Sequence, residues 1–130
     1  MEAELSVDEL LQLGREALEE FDYERSKVLY CRALQRSEGG LQPAQALLEI
    51  LIEHLAADEE ALALSESFSA STLKDKEVRI RLATAYARLD RIESALAAIR
   101  RIVEPEAAQV YYLAAKHFIA RHDEDQALNQ

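Results

Sequence analysis

Apolar residues recur along the chain at the three-to-four-residue spacing of amphipathic helices, and no segment alternates with the period of two that marks a half-buried strand. Ser6-Val7-Asp8-Glu9 reads as a capping box, followed by Leu10, Leu13, Ala17 and Phe21 at helical spacing. Asp22 opens a second helix carrying Val28, Leu29, Ala33 and Leu34, and Glu38-Gly39-Gly40 ends it. Pro43 suits the first turn of a third helix, whose buried face is Leu47, Leu48, Leu51 and Leu55. Asp58 caps a fourth from about Glu59 to Ser67, and Ser69-Ala70-Ser71-Thr72 reads as loop. Asp75 caps a fifth with Val78, Leu82, Ala85 and Leu89. A sixth begins near Asp90, carries Ile92, Leu96, Ile99 and Ile102, and is broken by Pro105. A seventh spans about Glu106 to Arg121, and Asp123-Glu124-Asp125-Gln126 reads as the capped start of another. The expectation is all-α: seven helices and the stub of an eighth.

Composition agrees with one soluble-type domain over residues 1–130, with 49% hydrophobic and 31% charged residues. Only 3 Gly and 2 Pro are present, too few for the turns of a β-rich fold. The net charge of −10 changes the partner question. A nucleic-acid binder needs a basic face to displace counterions, and anionic membranes attract cations, so both partners are excluded. No apolar run approaches the roughly 20 residues of a spanning helix, and the acidic start Met1-Glu2-Ala3-Glu4 is unlike a signal peptide. The single cysteine, Cys31, has no partner for an internal disulfide. A reduced, cytoplasmic setting is expected.

The helices pair, and the pairs recur. Gly14, Leu48, Ala83 and Ala115 hold equivalent places, 34, 35 and 32 residues apart. Small residues at Gly14, Ala33, Ala83 and Ala95 mark places where helices can approach closely. The first unit reads Leu13-Gly14, Phe21-Asp22-Tyr23, Ser26, Leu29-Tyr30, Ala33-Leu34, and the third reads Leu82-Ala83, Tyr86, Asp90, Ala95-Leu96. This pattern resembles the tetratricopeptide repeat family, with Phe21 in place of the turn glycine and Ser26 in place of a small Ala. The second unit, Leu47-Leu48 to Ala61-Leu62, is degenerate and carries a one-residue insertion. The fourth offers Ala115, Phe118, Asp123 and Ala127-Leu128. The resemblance implies a right-handed superhelix of stacked antiparallel helix pairs, an α-solenoid of about 3.5 repeats at 7–40, 41–75, 76–107 and a truncated 108–130.

Residues that carry chemistry are sparse. His54, His117 and His122 include no pair at the four-residue spacing of a helical zinc site. Cys31 sits mid-helix among apolar neighbours and no base is paired with it. The acidic runs at Asp58-Glu59-Glu60 and Asp123-Glu124-Asp125 fall at expected helix starts, where the helix dipole favours negative charge. Gly39-Gly40 lacks the spacing and Lys of a phosphate loop. The reading is of no enzyme, no cofactor and no metal site.

The family resemblance implies a partner groove lined by the first helix of each pair. Transferred residue by residue, it is Leu11, Arg15 and Leu18; Gln45, Glu49 and Ile52; Ile80, Thr84 and Arg88; and Tyr112, Lys116 and Ile119, flanked by Asp8, Glu19, Gln42, Glu53, Glu77, Ala87, Gln109 and Ala120. Such a mixture of apolar and charged side chains suits an amphipathic helix or extended peptide. Packing against a further helix of the same protein is the other reading of its apolar members. Family members that grip the C-terminal carboxylate of heat-shock proteins use a Lys, Asn and Arg clamp. The matching positions here are Leu11, Arg15, Ala46, Glu77 and Arg81, of which Arg81 alone fits, so a heat-shock tail is not the expected ligand. The expectation is a protein-interaction module of adaptor, assembly or chaperone-like type. The alternative is a self-associating scaffold segment of a larger protein, since the last unit stops inside a repeat.

Overall fold

The Ser6 hydroxyl accepts from the Glu9 amide, and the Glu9 carboxylate accepts from the Ser6 amide, both at 3.1 Å, so the first helix starts on a complete capping box. The computed structural model describes the backbone of residues 4–102 and 105–128, and among these all side chains except those of 117, 118 and 121–128. The described residues form eight α-helices and no strand: α1 (Val7–Glu19), α2 (Tyr23–Arg36), α3 (Leu41–Leu48), α4 (Asp58–Ser65), α5 (Ala70–Lys74), α6 (Lys76–Arg88), α7 (Ile92–Ala98) and α8 (Ala108–Leu128). A π-helical segment, Glu49–His54, extends α3. No described helix is long and apolar enough to cross a membrane.

α1 buries Leu10, Leu11, Gly14 and Ala17 against Ser26, Leu29, Tyr30, Ala33 and Leu34 of α2. The absence of a side chain at Gly14 seats the Tyr30 ring, and the buried Ser26 hydroxyl donates to the Gly14 carbonyl at 2.8 Å. Val28, expected on the buried face, is 55% exposed, because the buried stripe at 26, 29, 30, 33 and 34 leaves it on the far side of the helix. Phe21 and Leu96, also expected inside, are exposed.

One turn geometry recurs. Phe21, Ala56 and Asp90 have φ of 61°, 49° and 61°. The residues after them, Asp22, Ala57 and Arg91, have φ/ψ of −90°/76°, −96°/63° and −97°/68°. The amides of Asp22 and Arg91 reach back five residues, to Ala17 and Tyr86, whereas that of Ala57 reaches back six, to Leu51. Ahead of the Ala56 turn the helix is π-helical over Glu49–His54, whose wider i→i+5 winding takes up more residues per turn than an α-helix. Arg88 of α6 donates to the Ile52 carbonyl of this segment at 2.7 Å.

Three boundaries differ from expectation. Residues 69–72 are not loop: Ser69 accepts from the Thr72 amide and starts α5. The fold rewards this turn because the buried Thr72 hydroxyl and the Ser69 amide both donate to the Gly39 carbonyl, at 2.8 and 3.0 Å. The expected sixth helix shortens to α7, which ends at Ala98, ahead of Pro105. The guanidinium of Arg79 donates to the Ala98 and Arg100 carbonyls there, satisfying acceptors that a longer helix would have used itself. No separate stub begins at Asp123, because α8 is continuous to Leu128. In addition, Asp58 is the first residue of α4 instead of its cap, and pairs with Arg88 at 3.3 Å.

Packing proceeds between neighbours: α1 with α2 and α3, α2 with α3, α3 and α4 with α6, and α6 with α7 and α8. Two apolar clusters result. Leu10, Leu47, Leu48, Ile50 and Leu51 centre the larger, and Ala83, Ala87, Ala95, Ile99 and Val110 form the second. Helix α6 serves both, offering Val78, Leu82 and Ala85 to one and Ala83 and Ala87 to the other.

Candidate functional site

The first cleft lies between α1, α2, α3 and the start of α6. Leu11, Arg15 and Leu18 of α1 face Gln42, Gln45, Ala46 and Glu49 across an open volume of about 500 Å³, with Tyr30 and Glu77 completing the wall. Gln45 is positioned by donating to the Asp75 carboxylate at 3.1 Å, the same carboxylate that caps α6 through the Val78 amide. Burial pushes the Tyr30 phenol above its ordinary pKa, so it stays protonated at the cleft wall.

The second cleft, of about 480 Å³, is lined by Ile52, Glu53, Lys76, Glu77, Ile80, Arg81, Thr84, Arg88, Glu106 and Gln109. Its charges are internally matched. Arg81 lies 2.7 Å from Glu53 and 3.2 Å from Glu77, Lys76 lies 2.7 Å from Glu106, and Arg88 pairs with Asp58. The Thr84 hydroxyl donates to the Ile80 carbonyl one turn earlier at 2.9 Å. The floor is therefore apolar, Ile52 and Ile80, inside a rim of ion pairs. Glu77 lines both clefts.

Of the twelve residues expected in a groove, Leu11, Arg15, Leu18, Gln45 and Glu49 meet in the first cleft, and Ile52, Ile80, Thr84 and Arg88 in the second. Leu11 and Ile52 show only their edges, being 7% and 3% exposed. Tyr112, Lys116 and Ile119 line neither cleft and face solvent on α8. Among the flanking residues, Gln42, Glu53, Glu77 and Gln109 join the clefts. Asp8, Glu19 and Ala120 are exposed elsewhere. Ala87 is a correction, because it is fully buried where α6 meets α7 and α8. Sequence reasoning missed Tyr30, whose only signal was the small Gly14 that seats it, and the ion-paired rim of Lys76 and Glu106.

Arg15 differs from the other cleft cations in having no hydrogen bond or ion pair among the described residues. Cys31 is half-buried, and burial, then the nearby Glu60, raises its pKa, which disfavours the reactive thiolate. His54 stacks on Tyr23, ring centroids 4.9 Å apart. Among the described residues no group of three His, Cys, Asp or Glu is arranged to hold a metal; His117 and His122 lie outside the described side chains. Comparison with protein-family models, curated proteins and solved structures gives no match.

Proposed function

We propose that this chain is a protein-binding module built as a tetratricopeptide-like solenoid, which takes an extended or helical peptide segment of a partner along its two clefts. The repeat reading is supported by the turn geometry at Phe21, Ala56 and Asp90 and by neighbour-to-neighbour packing. The observation that carries the functional reading is that α1, α3 with its π-helical segment, and α6 put their side chains into two clefts sharing Glu77. An apolar partner side chain seats on Ile52 and Ile80, and an acidic or carbonyl group of the partner meets Arg15. The role is that of an adaptor or assembly module, without chemistry of its own. The test is affinity capture from native extract with the intact chain and with Arg15→Glu and Thr84→Arg variants. Loss of the same bound proteins in both variants supports the groove, and identical capture by all three proteins excludes it.

A second reading, self-association, is favoured by α8, where Tyr112 and Ile119 are 62% and 59% exposed and Ala115 lies exposed between them. Sedimentation across concentration decides this. A monomer at all concentrations excludes it, and a dimer abolished by Ile119→Glu supports it.

A further inference from the structure

Phe21 occupies a backbone position that disfavours it and gains no burial in return. Its φ is 61°, a left-handed value that glycine adopts freely, and its ring is 77% exposed. The equivalent turns carry Ala56 and Asp90 at this place. The ring rests edge-on against Tyr23, centroids 6.5 Å apart at 80°, and Tyr23 stacks on His54 at 4.9 Å and 19°. These three rings make an aromatic ladder at the α1–α2 turn, outside both clefts.

The surroundings are acidic. Residues 15–27 hold Glu16, Glu19, Glu20, Asp22 and Glu24 against Arg15, Arg25 and Lys27, the last paired with Glu24 at 3.3 Å. Glu19 and Glu20 are exposed and enter no ion pair among the described residues, and the chain as a whole carries −10. An exposed ring with exposed carboxylates one and two residues before it in the chain matches a guanidinium, which is planar, stacks on an aromatic face and pairs with a carboxylate through its edge. We propose that the α1–α2 turn is a second docking surface, taking an arginine-bearing segment of a partner protein onto Phe21, with Glu19 and Glu20 as its counter-charges. Lysine fits less well, because its compact ammonium does not stack.

The test uses a fluorescently labelled peptide with arginines around a single leucine, and its lysine counterpart, titrated by anisotropy against the full chain. Binding of the arginine peptide in preference to the lysine one is expected. Phe21→Gly and the double change Glu19→Gln/Glu20→Gln should each weaken it about tenfold. Phe21→Gly suits the backbone, so circular dichroism and thermal midpoint should stay in place. Phe21→Asn, which also tolerates left-handed backbone, serves if they do not. No binding by the unaltered chain, equal binding of the two peptides, or unchanged affinity in both Phe21 variants would overturn the proposal. The last two results would reduce the surface to bulk acidity.

Discussion

The ring of Tyr30 lies against the bare backbone of Gly14, so that a Cβ built there would stand 2.4 Å from Tyr30 Cε1. That contact sets the closeness of α1 and α2 at the place where Tyr30 lines the first cleft. Gly14→Ala should therefore cost about 1–3 kcal/mol, the usual range for overpacking, although Ala is the better helix former. Chemical denaturation measures it, and a neutral or stabilising result would show that the ring moves aside freely.

Thr72 ties the α5 turn to the end of α2 through the Gly39 carbonyl. Thr72→Val keeps the shape and removes a buried hydroxyl that donates to Gly39 and accepts from Ser69. The expected loss is about 1–2 kcal/mol. Thr84→Val is the control, because its half-buried hydroxyl bonds only within its own helix, and it should cost well under half as much. Equal losses in the two variants would contradict this account of α5.

Cys31 gives a pH dependence with a definite sign. Its pKa is raised in the fold, by burial first and by Glu60 second, so the folded chain holds the thiol proton to higher pH than the unfolded chain does. Above about pH 8.5, the ordinary thiol value, the unfolded state binds fewer protons and stability falls as pH rises through this window. Cys31→Ser should flatten that fall. Alkylation by iodoacetamide at pH 8 should be slower in the folded chain than in denaturant, and equal rates would refute the raised pKa.

A peptide ending in Glu-Glu-Val-Asp should not bind with measurable affinity by calorimetry. Arg81, the one matching residue of the carboxylate clamp, is already held by Glu53 and Glu77, and a tail would have to displace both. Saturable binding that Arg81→Ala abolishes would reverse this expectation.

Local signals along the chain settled the helical class and the first cap. Both rest on residues close in sequence: the Ser6–Glu9 box and the apolar stripes. Nine of the twelve residues expected in a groove line one or the other of two clefts. What tertiary structure alone decided depends on partners distant in the chain. Thr72 turns a polar stretch into α5 because Gly39, 33 residues away, supplies an acceptor. Arg79 of α6 takes the Ala98 and Arg100 carbonyls at and just beyond the end of α7. Arg88, expected in the groove, and Arg81, the one position matching the carboxylate clamp, are engaged by Glu53, Glu77, Asp58 and the Ile52 carbonyl. Periodicity reports which face of a helix is apolar, and hydrogen-bond and charge satisfaction across helices determines where that helix stops and which of its charges remain available to a partner.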